Sequence, residues 1–198
     1  MSTAYATAAE YRTVTRITDA ALDGDIEVDL RAVSRYLDGE LRRTFVRDAV
    51  ATTRHYMPLD ASTGFNIDDL SETPTQVAVD TANDDTFATI VAPADYRLFP
   101  LNALTGPEPW PFTRIELAPA AALGRFPAFR RVRITGRFGW PSVPVAIQRA
   151  TIHLTAILRL ESARATKRIP ELGDTVETSH QAQNIIRQLT NQYKVWLL

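Results

Sequence analysis

Cysteine is absent from this chain of 198 residues. Its absence excludes disulfides, thiolate metal sites and a cysteine nucleophile, and it fits a reducing cytosol better than a secreted setting. Neither sign of charge is in surplus: 22 Lys and Arg stand against 23 Asp and Glu, a formal net charge of −1. A protein that coats nucleic acid needs many cations to meet phosphates, so this balance argues against that class while leaving room for a local basic patch. Long apolar runs are also missing. None reaches the roughly 18 residues of a membrane span, and the stretch MSTAYATAAEYRTVTR lacks the apolar core of a secretory signal. Histidine is scarce. His55, His153 and His180 each lack a second histidine three or four residues away, the spacing a zinc site uses, so each reads as structural. There is no phosphate loop and no G-x-S-x-G elbow.

What remains is the composition of an ordinary globular protein, 45% apolar and 23% charged, long enough to bury a core without staples. Thr7 is placed to cap a short helix over Ala8 to Ile17. Asp25 offers the N-cap of a second helix, in which Ile26, Leu30, Val33, Leu37 and Leu41 follow at steps of four and three. Gly39 lies inside that helix, where a glycine usually admits a close backbone neighbour.

From about Thr52 the chain changes to short runs of β-formers punctuated by proline and glycine. Thr53 to Met57, Gln76 to Asp80, Phe87 to Val91, Tyr96 to Leu101, Thr113 to Leu117 and Arg131 to Phe138 read as strands, with a turn at Asn83-Asp84-Asp85. The last is the clearest: Val132, Ile134, Gly136 and Phe138 face one way, and Arg131, Arg133, Thr135 and Arg137 the other. Pro107 to Pro111 must be an extended loop, since proline has no N–H to give a ladder. A long helix then starts with Pro144 in its first turn, carries Ile147, Ala150, Thr151, Leu154, Ile157 and Leu158 on one stripe, and ends near Ala163. Residues 164–177 read as a polar linker. A terminal helix follows, with Thr178 and Gln181 as a capping box and Ala182, Ile185, Ile186, Leu189, Tyr193 and Trp196 as its apolar face.

The expected class is therefore α+β: a helical bundle made of the N-terminal helices and one long helix after the last strand, a small antiparallel sheet, and a C-terminal helical extension. The expected domains are 1–163, a linker at 164–177, and a docking helix at 178–198.

No residues converge into a catalytic, cofactor or metal centre. The adjacent pairs Asp68-Asp69 and Asp84-Asp85 lack the alternating spacing of a calcium loop, and neighbours on an extended chain point to opposite sides. The arginines at 130, 131, 133 and 137 are open to three readings: a phosphate-contacting surface, a solvated sheet face, or half of a subunit interface facing the chain's own acids. The interface or solvated readings are preferred, because charge runs are usually solvated. A nucleic-acid-binding module using this face and, behind it, a hydrolase using Asp68, Asp69 or His55 are the alternatives.

Three blocks resemble the head-to-tail connector, or adaptor, family of tailed bacteriophages. Leu37-Asp38-Gly39-Glu40-Leu41-Arg42-Arg43-Thr44-Phe45 is similar to the family's I-D-x-x-L-G-R-x-F helix end. Asp95-Tyr96-Arg97-Leu98 is similar to its D-Y-x-L strand, and Thr113-Arg114-Ile115-Glu116-Leu117 follows later. Val132-Arg133-Ile134-Thr135-Gly136-Arg137-Phe138-Gly139-Trp140-Pro141, then Val143-Pro144 and Ala150, resembles the segment V-x-V-T-x-x-x-G-W-x-x-V-P-x-x-[IV]-x-x-A. The blocks run in order from about residue 5 to 163. The middle region is longer than usual, and the C-terminal extension is a further departure.

The resemblance implies a virion structural protein, assembled in the host cytoplasm. It would form a homo-oligomeric ring, typically of twelve subunits, in the neck between the portal protein and the stopper or tail-completion protein. Double-stranded DNA would pass through the ring without sequence-specific binding, and no enzyme, cofactor or membrane would be involved. On that view Arg131, Arg133 and Arg137 line subunit contacts, with Trp140 packing at the strand-to-helix corner. The terminal helix, through Ile185, Ile186, Leu189, Tyr193 and Trp196, docks on the portal.

Overall fold

The computed structural model describes residues 3–167 and 172–194, and the side chains of residues 3–162 and 180–194. The chain forms two units: Met1–Phe45 together with Val143–Leu198, and Val46–Ser142 between them.

The first unit is helical. Helix α1 (Ala8–Thr15) starts at Thr7, whose hydroxyl accepts the Glu10 N–H while the Glu10 carboxylate accepts the Thr7 N–H, so both halves of a capping box are made. Helix α2 (Asp23–Leu41) begins earlier than expected. A single 3-10 turn at Ala20–Leu22, capped by Asp19, leads into it. Asp25 is thus not the cap but a first-turn acid, where its charge complements the helix dipole. Ile26, Leu30, Val33, Leu37 and Leu41 are buried, as their spacing predicts. The close approach expected at Gly39 is absent: nothing lies within 4 Å of where its Cβ would be, because Gly39 is on the exposed side of α2.

Helix α3 (Val145–Lys167) follows Pro144, whose carbonyl accepts the Gln148 N–H. It continues past Ala163. Helix α4 (Leu172–Tyr193) starts well before Thr178, which is therefore no cap. The segment read as a linker is helical on both sides of residues 168–171, which lie outside the described residues. Polarity misleads there, because a helix exposed on most sides is polar all round.

The N-terminal arm is pinned by Tyr5. Its N–H donates to Ser34 Oγ at 3.0 Å, and its hydroxyl donates to the Asp38 carboxylate while accepting the Phe45 N–H at 2.9 Å. Burial, reinforced by the Asp38 carboxylate, raises the hydroxyl's pKa well above the ordinary tyrosine value, so Tyr5 stays protonated. Desolvation raises Asp38 as well, against the pull of Tyr5 and Arg35. Phe45 packs edge-on against Tyr5 at 5.7 Å and against Tyr193 at 5.6 Å. The Arg43 guanidinium donates to the Tyr193 carbonyl at 3.1 Å. The N-terminal arm and the end of α4 are thus fastened at one point.

The second unit holds seven strands: β1 (Thr52–Tyr56), β2 (Gly64–Leu70), β3 (Gln76–Val79), β4 (Thr89–Val91), β5 (Tyr96–Phe99), β6 (Phe112–Leu117) and β7 (Val132–Gly136). They pair antiparallel in two small sheets, β1-β7-β3-β4 and β2-β6-β5, where one sheet was expected. The α+β class, the long helix after the last strand and the helical C-terminal segment are as expected. Strand β2 had no clear signature. A register shift between Asn66 and Leu70 leaves Gly64, Ile67 and Leu70 buried, a spacing of three instead of two. Val77, Val79, Val132 and Ile134 of one sheet and Ile67, Leu70, Phe112, Ile115 and Leu117 of the other share one buried cluster.

Gly139 closes this core. Its φ is +97°, and a Cβ there would lie 2.1 Å from the Val46 carbonyl oxygen. Its N–H donates to the Asp69 carbonyl at 2.7 Å, and the neighbouring Phe138 carbonyl accepts the Asp48 N–H at 2.8 Å. Among the described residues no helix is long and apolar enough to cross a membrane.

Candidate functional site

Strand β7 carries the arginines. It lies between β1 and β3, and its register places His55, Arg133, Ala78 and Ile90 in one row across the sheet, with Thr53, Thr135 and Gln76 in the next. The face is not open. The β3–β4 connection folds over it and buries Phe87, which is only 6% exposed and has φ +51°. Phe87 had been expected to begin a strand; its left-handed backbone turns it back over the sheet instead. Its ring centre lies 5.3 Å from His55, and the guanidinium carbons of Arg133 and Arg131 stand 4.7 and 5.7 Å from it. These cation–π contacts help hold a strained backbone that a bulky residue rarely adopts.

The charges of the face are largely answered within the chain. Asp80, 1% exposed, accepts the N–H groups of Asp84 and Asp85 at 3.0 and 3.1 Å and Arg131 Nη2 at 3.1 Å. Asp85 adds a second ion pair to Arg131. Arg137 faces Glu72 at 3.6 Å. Arg133 donates to Gln76 Oε1 at 3.2 Å and has no carboxylate partner among the described residues. A phosphate-binding strip needs cations free to meet phosphates; here the acids already occupy two of the three. The acidic partners could not be assigned from the sequence, because they come from loops far from β7 along the chain. Asp80→Ala removes the anchor of the loop and leaves Arg131 with its exposed partner only. A loss of about 2 kcal/mol is expected in chemical denaturation, with a drop in the hydrogen-exchange protection of residues 84–87.

Trp140 is 1% exposed. Its Nε1–H donates to the Asp69 carboxylate at 3.0 Å, and its ring lies 4.8 Å from that of Trp110, which the proline-rich loop delivers through a 2.7 Å bond from the Trp110 N–H to the Ala103 carbonyl. It packs inside its own unit, between β7 and α3 along the chain. Asp68 and Asp69 diverge: Asp68 takes Arg54 at 2.9 Å and the Tyr56 hydroxyl at 3.0 Å, while Asp69 takes Trp140. Burial and the Asp68 charge raise the Tyr56 hydroxyl pKa above its ordinary value. His153 and His180 are exposed. No group of three or more His, Asp or Glu is gathered to hold a metal among the described residues.

On α4, Leu189 and Tyr193 are 5% and 1% exposed, and α4 packs on α2 and α3. That corrects the expectation that the helix's whole apolar face docks elsewhere: these two side chains fill the chain's own helical unit. Ile185 and Ile186 are half-buried, and Trp196 lies outside the described residues.

No family model matches the sequence, and no curated protein matches it. The solved structures do contain similar chains. One, in the neck of an empty GTA particle computed with C6 symmetry, is similar with a TM-score of 0.53 and 20% identity, over 98% of this chain and 92% of that one. Another, in the neck of a native GTA particle computed with C12 symmetry, has a TM-score of 0.52 and 21% identity, over 96% of this chain and 89% of the other. GTA denotes a gene transfer agent, a phage-like particle. The fold of this chain is that of a protein in the neck of such particles.

Proposed function

We propose that the chain is a non-catalytic structural subunit of a phage-like particle's neck. In this reading twelve copies form a ring between the portal and the stopper or tail-completion protein, and the ring extends the channel for double-stranded DNA. The observation that carries it is the fold likeness to neck proteins over nearly the full length of both chains. The C12 symmetry used for one of those necks supports the number of copies, and the order of the three sequence blocks supports the family. The paired arginines of β7 weigh against the nucleic-acid module, since that face is close to neutral. Portal docking by the C-terminal segment rests on Ile185, Ile186 and Trp196, because Leu189 and Tyr193 are already used inside the chain.

Native mass spectrometry of the purified chain, alone and mixed with the portal ring of its particle, tests this. The expected result is a portal-bound species carrying a ring's complement of this chain. A chain that stays monomeric in both conditions overturns the reading.

A further inference from the structure

The β3–β4 connection, residues 80–88, is held over the arginine face of β7 against its own backbone preferences. Asn83, Asp85 and Phe87 have φ of +61°, +67° and +51°. Asparagine and aspartate tolerate the left-handed region, but a bulky aromatic rarely enters it, so the strain falls on Phe87. The closed position carries a second cost. Arg133 Nε is buried with no hydrogen-bond acceptor among the described residues, and a buried donor left unmet is most costly on a charged group. Ala78, the small residue beside Arg133 in its row, is fully buried, while Ile90 at the next position is 55% exposed. The cover therefore lies over part of the sheet and stops.

Two anchors oppose those costs. The Phe87 ring rests on His55, Arg133 and Arg131, and the Asp80 carboxylate holds the N–H groups of Asp84 and Asp85. Asp85 sits on Arg131 as an external anion would. A polyanion that takes this place gives Arg133 Nε an acceptor and lets Phe87 relax, so the closed loop and a bound anion exclude one another. Asp80 directly follows β3, so Arg131 keeps one carboxylate when the loop lifts; Arg133 is the cation released. The face then presents Arg133 and Arg131, about 7 Å apart along β7, with His55, Gln76, Thr53 and Thr135 around them. Arginine, glutamine and threonine are side chains that meet phosphate oxygens. Apart from Ala78 and Ile90, the side chains of these rows are polar, so an acidic peptide would find little apolar anchorage. The chemistry favours the phosphate backbone of nucleic acid, met without regard to sequence.

We propose that the β3–β4 loop is an autoinhibitory cover: Phe87 and Asp85 occupy the β7 face until nucleic-acid phosphates displace them and bind Arg133, with Arg131 beside it. Closed, the face is close to neutral; open, it is a short basic strip. The inference uses the strand unit alone and does not depend on how many copies a ring contains.

Phe87→Gly removes the ring and the strain together. The probe is a short fluorescent DNA duplex of arbitrary sequence, its binding read by anisotropy across a salt titration. At low salt F87G is expected to bind it about tenfold more tightly than the unsubstituted chain, with a salt slope steeper by about 0.9 for each arginine engaged. F87G/R133Q should return to the unsubstituted affinity. F87G/R125Q, which changes an exposed arginine outside β7, should keep most of the gain. No gain in an F87G chain whose circular dichroism matches the parent, or a gain that survives R133Q, overturns the proposal. Equal affinity of F87G for poly-glutamate overturns the choice of nucleic acid. Hydrogen exchange of the unsubstituted chain needs no variant and decides the matter if F87G does not fold. With duplex raised to saturation at low salt, the amides of residues 84–87 should exchange faster, and an unchanged or slower rate overturns the displacement.

Discussion

Gly139→Ala is expected to destabilise the chain by about 3–5 kcal/mol, a large share of what a domain of this kind has to spend. Two effects add. Alanine at φ +97° costs of order 1–3 kcal/mol in backbone strain. The new methyl also runs into backbone: the Val46 carbonyl oxygen at 2.1 Å, its carbon at 2.9 Å and Arg47 Cα at 3.1 Å. Backbone cannot rotate away as a side chain can, so the segments must separate, at about 1–3 kcal/mol for overpacking. Separation also threatens the bonds that Gly139 and Phe138 make to Asp69 and Asp48. Denaturant unfolding with tryptophan fluorescence reads the effect, since Trp140 is the next residue. Gly39→Ala is the matched control. Gly39 is helical with nothing within 4 Å, so alanine there should stabilise by up to about 1 kcal/mol. Equal behaviour of the two variants would refute the steric account.

Phe45→Ala should cost about 3–5 kcal/mol, the usual toll for emptying a buried aromatic site. Phe45 is fully buried between Tyr5 and Tyr193. Its loss removes both edge-to-face contacts, and the neighbouring hydrogen bond from its N–H to the Tyr5 hydroxyl loses its packing. The damage has a spatial signature. Hydrogen exchange should accelerate both in the N-terminal arm around Tyr5 and in the last turn of α4, although the two lie at opposite ends of the chain. Phe45→Leu should keep most of the burial and lose far less. If exchange rises at one end only, Phe45 does not couple them.

The helices and the apolar stripes of α2 and β7 were legible because periodicity records burial directly: Ile26, Leu30 and Leu37 face inward, as do Val132 and Ile134. Strand β2 was not, because its register shift breaks the period of two. The start of α4 was hidden by a polar sequence. At the candidate surfaces the limit was different. Sequence places Arg131, Arg133 and Arg137 on one face, but their partners, Asp80, Asp85 and Glu72, and the ring of Phe87 arrive through tertiary folding. Leu158 illustrates the same limit. It fits the buried stripe of α3 by spacing, yet it is 41% exposed, because spacing assigns a face and cannot say how far along the helix the partner reaches.

The helical unit is assembled from both ends of the polypeptide, with the strands encoded between them. On the ribosome, α1 and α2 emerge first and must wait, since α3 and α4, which pack on α2, are made after the strands. The middle of the chain completes its own core before the outer one can close. A product released before Val145 therefore has no α3 to pack on α1 and α2. Vectorial synthesis thus orders the fold: the strand unit is finished while the helical unit still waits for its later helices.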